Sequence, residues 1–275
     1  MINPNNVKTQ GGKMKASILF CMIALVLVLT ACTPSKTPPS LPNFTIVDLT
    51  QPMTPNLPIW PGDPKFKIRP WATYETDQYF INHISIGEHS GTHWGTPNTF
   101  IKGARSADMF EAKELVLPAV LMDIRKQIQG DKDYRLSIQD VKEWEKAQGK
   151  TIPPGSFVII FTGWQYKWHL PDSFLGTDPN HVLHWPGFDA KTAAFLMEER
   201  RVAGLGTDTH GTDPGNDEEF GASFAVYKND GMILECLSGL DKLPPFGATL
   251  IIGGWPIQGG SGSPARVMAL LPQWP

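Results

Sequence analysis

The stretch Phe188 to Thr209, FDAKTAAFLMEERRVAGLGTDT, predicts a helix followed at once by a strand. Asp189 is a suitable N-cap, the Ala, Phe, Leu and Met side chains give one apolar face, and Glu and Arg fill the last turn. The run RVAGLGTDT, from Arg201, has the length and composition of a strand. Upstream, SFVIIFTGW at 156–164 is another apolar run of strand length. Strand, helix and strand in this order predict an α/β sheet covered by helices.

Further runs rich in β-branched and aromatic residues predict five more strands. They are FTIVDLT (44–50), YFINHISIGEH (79–89), LVLPAVLMDI (115–124), GATLIIGG (247–254) and ARVMALL (265–271). A second helix is predicted within SIQDVKEWEKAQGK, with Ser137 as N-cap and Gly149 as the C-terminal stop. Because no second linker or repeat is apparent, residues 44–275 are predicted to form one domain.

The start of the chain has the features of an export signal. Lys13 and Lys15 precede an uncharged apolar run, ILFCMIALVLVL, from Ile18 to Leu29. This run is shorter than the roughly 20 residues with which a helix spans a bilayer, so it predicts the core of a signal peptide.

The residues after this core predict a lipid anchor. The sequence LTAC, ending at Cys32, resembles a bacterial lipoprotein box, in which the Cys becomes the lipidated first residue of the mature chain. Residues 1–31 are therefore predicted to be a lipoprotein signal peptide, and the alternative is an ordinary signal peptide cut after Ala31. Residues 32–43 are rich in Pro and Ser and predict a linker. The protein is expected to be exported and held at a membrane by lipid at Cys32.

The charge and the cysteines exclude some classes of protein. The sequence has 24 Lys and Arg against 27 Asp and Glu, and no basic stripe that could displace counterions from phosphates, so no nucleic acid is expected as a partner. Of the three cysteines, Cys21 would leave with the signal and Cys32 would be acylated. Cys236 would then be alone, so no intrachain disulfide is expected.

The segment HSGTHWGTPNTF, 89–100, places two histidines four residues apart. Because the preceding NHISIGEH alternates, the strand is predicted to end at His89, and Gly91 can bend the chain so that His93 returns beside His89. Two imidazoles suit Zn²⁺ or Mn²⁺, but a stable site needs three or four protein ligands. For the pair alone, two hydrogen-bonded structural histidines at a strand end are the favoured interpretation.

Five segments, in order along the chain, resemble the bacterial cyclase family, which includes the metal-dependent kynurenine formamidases and isatin hydrolases. They are DLTQPMTPNLPIWPGDPKF (48–66), GEHSGTHWGTPNTF (87–100), IPPGSFVIIFTGW (152–164), GLGTDTHGTDPGN (204–216) and LECLSGLDKLPPFGATLIIGGWPIQGGSGSPARVMAL (234–270). The resemblance implies a swivelling β/β/α domain of the α/β (α+β) class. It also implies assembly as a homo-oligomer, with sites near the subunit contacts, and hydrolysis of a small molecule.

The family's core motif is similar to His-x-Gly-Thr-His-x-Asp-x-Pro-x-His, followed by a later His and, twelve residues on, a Glu or Gln. The two leading histidines match His89 and His93, and the last position matches Glu235. The resemblance therefore implies these three residues as metal ligands. Glu235 has apolar neighbours in MILECLSGL, and an unpaired buried carboxylate is costly, which favours a ligand over an exposed helix residue.

Three positions depart from the motif. The metal-binding Asp falls on Gly95, the proton-transferring His on Thr99, and the later His on Ser223. Glycine has no carboxylate to bridge two cations, so a dinuclear centre is not expected. Thr99 and Ser223 keep hydroxyls that are predicted to contact the substrate, but an unactivated hydroxyl is a poor general base at neutral pH.

His210 is predicted to replace the lost imidazole, because the family usually has no histidine at this position. With Asp208 to orient it, His210 would act as the catalytic base. An equally supported alternative is that His210 is a loop residue whose ring hydrogen bonds to the backbone. Trp60, Trp94 and Trp164 are candidates to line a pocket for a flat aromatic substrate, with core packing as the alternative.

The sequence is consistent with four functions. The favoured one is a hydrolase of an amide, formamide or lactam bond, with one Zn²⁺ or Mn²⁺ held by His89, His93 and either Glu235 or His210. The second is a membrane-anchored lipoprotein that binds a small molecule without catalysis. The third is a metal-free enzyme that uses His210 with Asp208. The fourth is a structural or partner-binding lipoprotein.

Overall fold

A computed structural model of the protein describes residues 44–272, so the predicted signal peptide (1–31) and linker (32–43) lie outside the described residues. The strands within this range are β1 (Phe44–Asp48), β2 (Lys67–Ala72), β3 (Ile81–Ser85), β4 (His93–Gly95), β5 (Val116–Asp123), β6 (Arg135–Leu136), β7 (Phe157–Phe161), β8 (Gly187–Phe188), β9 (Gly204–Thr207), β10 (Met232–Glu235), β11 (Ala248–Gly254) and β12 (Gly262–Pro272). The helices are α1 (Tyr74–Asp77), α2 (Arg125–Ile128), α3 (Ile138–Gln148), α4 (Pro171–Leu175), α5 (Ala190–Glu198) and α6 (Gly221–Lys228).

The main sheet closes into a barrel. Its strand order is β1-β12-β11-β5-β7-β9-β10-β4, and β12 also pairs with β4, which completes a ring of seven strands. The closure depends on the length of β12. Its first residues pair with β4, where Ser263 lies opposite Trp94, and the residues that follow pair with β11, where Val267 lies opposite Ile252. Strands β5, β7, β9 and β10 run parallel, and the remaining pairings are antiparallel.

The predicted strand, helix and strand are confirmed as β7, α5 and β9. Strands β7 and β9 are parallel neighbours, with Ile159 opposite Gly206. Helix α5 begins after Asp189, whose side chain accepts a hydrogen bond from the Lys191 backbone N–H at 2.8 Å. In β9, a Cβ on Gly204 would overlap the Met232 carbonyl oxygen, so only glycine allows β9 and β10 to lie this close.

The second predicted helix is also confirmed, as α3. Ser137 and Asp140 form a reciprocal capping box at its start. Gly149 ends the helix with a φ of 62°, a left-handed conformation in which glycine has no Cβ penalty.

The apolar strands are buried on both faces. Along β7, Phe157 and Ile159 join one hydrophobic cluster with β5, β10, β11 and β12. Val158 and Ile160 join a second cluster that includes side chains of α3, α5 and α6. Parallel strands covered on both faces have continuous apolar sequences, which is why SFVIIF shows no alternation.

The predicted strand over 79–89 is wrong in its extent. Only β3, Ile81–Ser85, is a strand, and it pairs with β2 in a separate two-stranded ribbon. Ile84 is 53% exposed, so the alternation does not mark one buried face, and His89 lies in irregular chain beyond the strand. An alternating pattern sets only which side chains share a face, and here tertiary packing leaves both faces of the ribbon open.

Within residues 44–272, no helix combines the length and the apolar character needed to cross a membrane.

Candidate functional site

A cavity of about 220 Å³ opens at one end of the barrel. The elements that form it come from distant parts of the sequence: the turn before β4, the chain after β9, helix α6 and the end of β10. Its lining residues are Trp60, Asp63, His89, Thr99, Phe100, Trp185, His210, Gly211, Asp213, Pro214, Phe220, Ser223, Tyr227 and Glu235.

His93 and Glu235 meet because β4 and β10 are paired. The two residues are opposite each other in the antiparallel register, and His93 Nε2 lies 3.1 Å from Glu235 Oε2. The other ring nitrogen, Nδ1, donates to the Gly91 carbonyl at 2.9 Å. Burial lowers the pKa of His93, but the hydrogen bond and charge of Glu235 outweigh it and the net shift is upward. Burial raises the pKa of Glu235, but the hydrogen bond and charge of His93 outweigh burial, and the net shift of the Glu235 pKa is downward.

His89 is held by a short chain of hydrogen bonds. Its Nε2 lies 2.9 Å from Ser261 Oγ, and that hydroxyl donates to Glu88 Oε2 at 2.6 Å. The Ser261 backbone N–H donates to the same carboxylate oxygen at 3.0 Å. Because the hydroxyl proton is directed to Glu88, Ser261 accepts the N–H of His89, which places the His89 proton on Nε2. Burial, followed by the charge of His93, lowers the pKa of His89 to about 4, so the ring is neutral with its lone pair on Nδ1.

His210 lines the cavity without any hydrogen bond. Its side chain is almost fully buried, and within the described chain neither ring nitrogen has a partner. The ring packs among Trp60, Trp185 and His93, with centroid distances of 5.7, 6.3 and 6.3 Å. Burial lowers its pKa to about 4, so the imidazole is neutral, with one free donor and one free acceptor.

The predicted partnership between Asp208 and His210 is not formed. The Asp208 carboxylate accepts hydrogen bonds from the Thr162 N–H at 2.9 Å, the Thr162 hydroxyl at 2.7 Å and the Gln165 N–H at 3.1 Å. These donors belong to the chain that follows β7, the strand next to β9. Asp208 therefore ties two strand ends together, and its carboxylate has no contact with the His210 ring.

The two hydroxyl positions do line the cavity. Thr99 Oγ1 hydrogen bonds to the carbonyl oxygens of Thr96, at 2.7 Å, and Ser261, at 3.0 Å. Ser223 Oγ donates to Asp213 in a very short hydrogen bond. Burial raises the pKa of Asp213 to about 6, against the opposing effect of its hydrogen bonds from Ser223 and a backbone N–H.

Gly95 packs against a side chain that the sequence did not indicate. A Cβ built on Gly95 would overlap the hydroxyl oxygen of Tyr227 on α6. Tyr227 is buried and lines the cavity, so its hydroxyl fills the room that a larger residue at position 95 would need. No motif singled out Tyr227, because the contact joins β4 and α6 across the fold.

The predicted tryptophans differ in their positions. Trp60 lines the cavity and packs edge-on against Trp185 at 5.6 Å. Trp164 is not among the lining residues: its indole N–H donates to the Phe174 carbonyl at 2.6 Å, and its side chain lies in the apolar cluster behind Trp185. Trp94 is also a core residue, in the cluster shared by the barrel strands. The pocket prediction is thus wrong for Trp164 and Trp94, and the sequence reading missed Trp185 and Phe220.

Both the sequence and the fold are similar to those of known proteins. The model of the Cyclase family matches residues 47–214. The chain belongs to the cyclase family. An isatin hydrolase from Roseibium aggregatum is 32% identical over 245 residues, which cover 83% of this chain and 92% of that protein. A kynurenine formamidase from Erythrobacter litoralis is 28% identical over 200 residues, covering 72% of this chain and 81% of the relative.

Solved structures of the cyclase family agree with this assignment. Isatin hydrolase A from Ralstonia solanacearum superposes with a TM-score of 0.78 at 29% identity, covering 95% of this chain and all of that one. An isatin hydrolase bound to the product analogue thioisatinate gives the same TM-score and identity, covering 94% of this chain and 100% of its own. The barrel with its helical layer is therefore the cyclase fold.

The donor types of this cyclase-family site, though not a preformed ligand arrangement, suit a divalent ion. In residues 44–272, no group of three or more His, Cys, Asp or Glu is arranged around a common metal position. The donor types are nevertheless those that Zn²⁺ and Mn²⁺ accept, since His93 Nε2 faces a carboxylate and His89 has its lone pair on Nδ1. The hydrogen bond from His93 Nδ1 to a carbonyl is the usual outer-shell support of a metal-binding imidazole. His210, whose ring nitrogens have no partner in the described chain, adds one further lone pair near them.

Proposed function

We propose that this protein is a metal-dependent hydrolase of the cyclase family that opens an amide, formamide or lactam bond of a small aromatic molecule. The observation that carries the proposal is the convergence of His89, His93, His210 and Glu235 at one aromatic-walled cavity. The 32% identity to an isatin hydrolase favours an enzyme over the binding-protein alternative, because that relative is a hydrolase.

The ion in this proposal is a single Zn²⁺ or Mn²⁺ held by His89, His93 and Glu235. A bound divalent ion supplies a Lewis acid and lowers the pKa of bound water to about 7. The chain itself orients two of the ligands, through the Gly91 carbonyl at His93 and through Ser261 at His89.

His210 is the residue that we assign to proton transfer. Its ring is neutral at pH 7 and lies 6.3 Å, centroid to centroid, from that of His93. Because neither ring nitrogen has a partner in the described chain, the neutral ring can accept a proton from the attacking water and donate it to the leaving nitrogen of the substrate. Glu235 supports this role, since its negative charge favours the protonated form of His210.

The substrate in this proposal packs between aromatic side chains. Trp60 and Trp185 form one wall beside His210. The ring of Phe220 packs against Trp60, with their centroids 5.9 Å apart. Flat rings bury large areas against such side chains, and the hydroxyls of Thr99 and Ser223 supply polar contacts.

The start of the chain and an exposed apolar ribbon bear on where the protein is located and how it assembles. We propose that it is exported, anchored through lipid on Cys32 and assembled as a homo-oligomer. The ribbon of β2 and β3 exposes Trp71, Ile81 and Ile84, which is an apolar surface suited to a subunit contact. Cys32→Ser should release the protein from membranes, and light scattering of the released protein should report a mass above that of one chain.

The central test is metal content together with hydrolysis. We expect the purified protein to hold about one Zn²⁺ or Mn²⁺ per chain and to hydrolyse formanilide or isatin. His93→Ala should lose both metal and activity, whereas His169→Ala, a change in an exposed turn away from the cavity, should keep both. Full hydrolysis by the His93→Ala protein would remove the metal from the reaction, and no hydrolysis by the metal-loaded wild type would reject the proposal.

A further inference from the structure

The hydroxyl of Tyr227 lies in the cavity wall, beside a proposed metal ligand. Tyr227 belongs to α6, is 5% exposed and lines the cavity. Its hydroxyl oxygen fills the room that a Cβ at Gly95 would need, and His89 Cε1 lies 3.4 Å from the same point. Because position 95 has no side chain, the phenol reaches across from α6 to β4 and to the neighbourhood of the His89 ring.

The ring of Tyr227 is fixed by neighbouring aromatic side chains. Phe100 packs edge-on against it, with ring centroids 5.7 Å apart. Phe100 in turn packs against Phe220, at 5.4 Å, and Phe224, at 5.0 Å. Phe220 also contacts Trp60, so the same aromatic lining continues to the opposite wall. The hydroxyl has a fixed position, because a phenol oxygen moves only with its ring.

Among the described residues, two other hydroxyl side chains line the cavity, those of Thr99 and Ser223. Their protons are already committed. Thr99 Oγ1 donates to the carbonyl oxygens of Thr96 and Ser261. Ser223 Oγ donates to the carboxylate of Asp213. Neither hydroxyl can give its proton to a bound molecule without losing one of these acceptors.

The proton of Tyr227 has a weaker partner. A phenol keeps its proton at neutral pH, and within residues 44–272 this one hydrogen bonds with the Thr99 hydroxyl. Because Thr99 gives its own proton to carbonyl oxygens, it is the acceptor. A substrate oxygen that gains negative charge is a better acceptor than a neutral hydroxyl, since hydrogen bonds to ionised groups are about twice as strong as neutral ones.

Building on the proposed hydrolase function, we propose that Tyr227 is a catalytic residue whose hydroxyl donates a hydrogen bond to the carbonyl oxygen of the bound amide. Water adds to the carbonyl carbon, and the π electrons of the C=O bond move to this oxygen, which becomes an oxyanion. His210 takes a proton from the water and gives it to the amide nitrogen as the C–N bond breaks and the C=O bond re-forms. The Tyr227 hydrogen bond strengthens while the oxygen is charged, so it stabilises the transition state more than the bound substrate.

The kinetics of the metal-loaded protein test this role. Tyr227→Phe keeps the ring and removes the hydroxyl, so we expect kcat with formanilide or isatin to fall about 10²–10³-fold, the usual cost of losing one oxyanion donor, with a much smaller change in KM. Its metal content should equal that of wild type, because Tyr227 is not a proposed ligand. Wild-type kcat in Tyr227→Phe, or a loss of kcat that follows a loss of metal, would overturn the proposal.

A matched variant controls for the removal of a phenol. Tyr166 is 62% exposed and is not among the lining residues. Tyr166→Phe should therefore keep the kcat and the metal content of wild type.

The infrared spectrum of a bound ketone reports the hydrogen bond without any hydrolysis. Acetophenone has an aromatic ring and a carbonyl group but no C–N bond to break. With carbon-13 in its carbonyl group, we expect the C=O stretch of the bound ketone at lower wavenumber in wild type and Tyr166→Phe than in Tyr227→Phe, because a hydrogen bond weakens the C=O bond. Equal wavenumbers in all three proteins would show that Tyr227 does not donate to the ligand.

The two measurements separate this proposal from the hydrolase function. If wild type hydrolyses formanilide or isatin while the C=O stretch does not respond to Tyr227→Phe, the proposal for Tyr227 fails and the hydrolase function stands. If the stretch responds but wild type hydrolyses neither compound, the hydrogen bond from Tyr227 stands and the hydrolase function fails.

Discussion

Single hydrogen bonds decide which nitrogen of each histidine faces the cavity. For His93 the partner is a carbonyl two residues earlier, so local chain geometry fixes the ring. For His89 the partner is Ser261, 172 positions away, which in turn donates to Glu88. Ser261, which bonds to the ring of a proposed ligand, and Glu88, which holds the Ser261 hydroxyl, thus act as positioning residues.

The role of Ser261 can be tested on the tautomer of His89. In Ser261→Ala, His89 Nε2 loses its acceptor, so we expect a mixture of tautomers in nitrogen-15 spectra of the ring. The affinity for Zn²⁺ should fall about 10–100-fold, as is usual when an outer-shell partner of a ligand is removed.

Two further variants control this measurement. Ser261→Thr keeps a hydroxyl and should restore most of the affinity. Ser263→Ala removes a hydroxyl two residues further along, in β12, that accepts a hydrogen bond from Trp94 and not from a histidine, and it should leave the His89 tautomer unchanged. An unchanged His89 spectrum in Ser261→Ala would show that the hydroxyl does not fix the ring.

At the scale of elements, the packing of α6 against β4 determines what position 95 can hold. The Tyr227 hydroxyl lies where a Cβ of residue 95 would be, so Gly95 and Tyr227 form one packing unit. An aspartate at position 95 would therefore fit only if Tyr227 were replaced by a smaller residue.

A double-mutant cycle measures this coupling. Gly95→Ala should lower the free energy of unfolding by about 1–3 kcal/mol, the usual cost of overpacking. In a Tyr227→Phe background the same change should cost less, with a coupling of at least about 0.5 kcal/mol in urea unfolding. Gly211→Ala is the control, since its Cβ would make only ordinary contacts, at 3.4 Å or more, with Trp185. Strict additivity of Gly95→Ala and Tyr227→Phe would contradict the packing argument.

At the scale of the whole molecule, the buried carboxylates make stability depend on pH. Burial raises the pKa of Asp213 from 3.8 to about 6. Between these values the folded chain binds more protons than the unfolded chain, so this group's contribution to stability falls as pH rises from about 4 to about 6. The shift of about two units corresponds to about 3 kcal/mol.

Asp213→Asn should therefore gain stability relative to wild type as the pH rises. We expect the difference in free energy of unfolding to move in favour of the variant by up to about 3 kcal/mol between pH 4 and pH 7. Urea unfolding at several pH values measures it, with Glu143→Gln as a control for the loss of one acidic group. A difference that does not change with pH would mean that Asp213 titrates alike in both states.

The sequence by itself determined the local elements and the family. The caps at Ser137 and Asp189, the apolar runs of β7 and β9, and the spacing of His89 and His93 are signals carried within one turn or one strand. Such signals are readable because capping and apolar patterning act between near neighbours in sequence.

Only the tertiary structure decided which groups meet. The register of β10 against β4 pairs His93 with Glu235, and the closure of the barrel by β12 brings Ser261 to His89. The same packing places Tyr227 at Gly95 and directs Asp208 away from His210. These contacts join residues far apart in sequence, and they follow from how the whole sheet packs and closes, which no local pattern encodes.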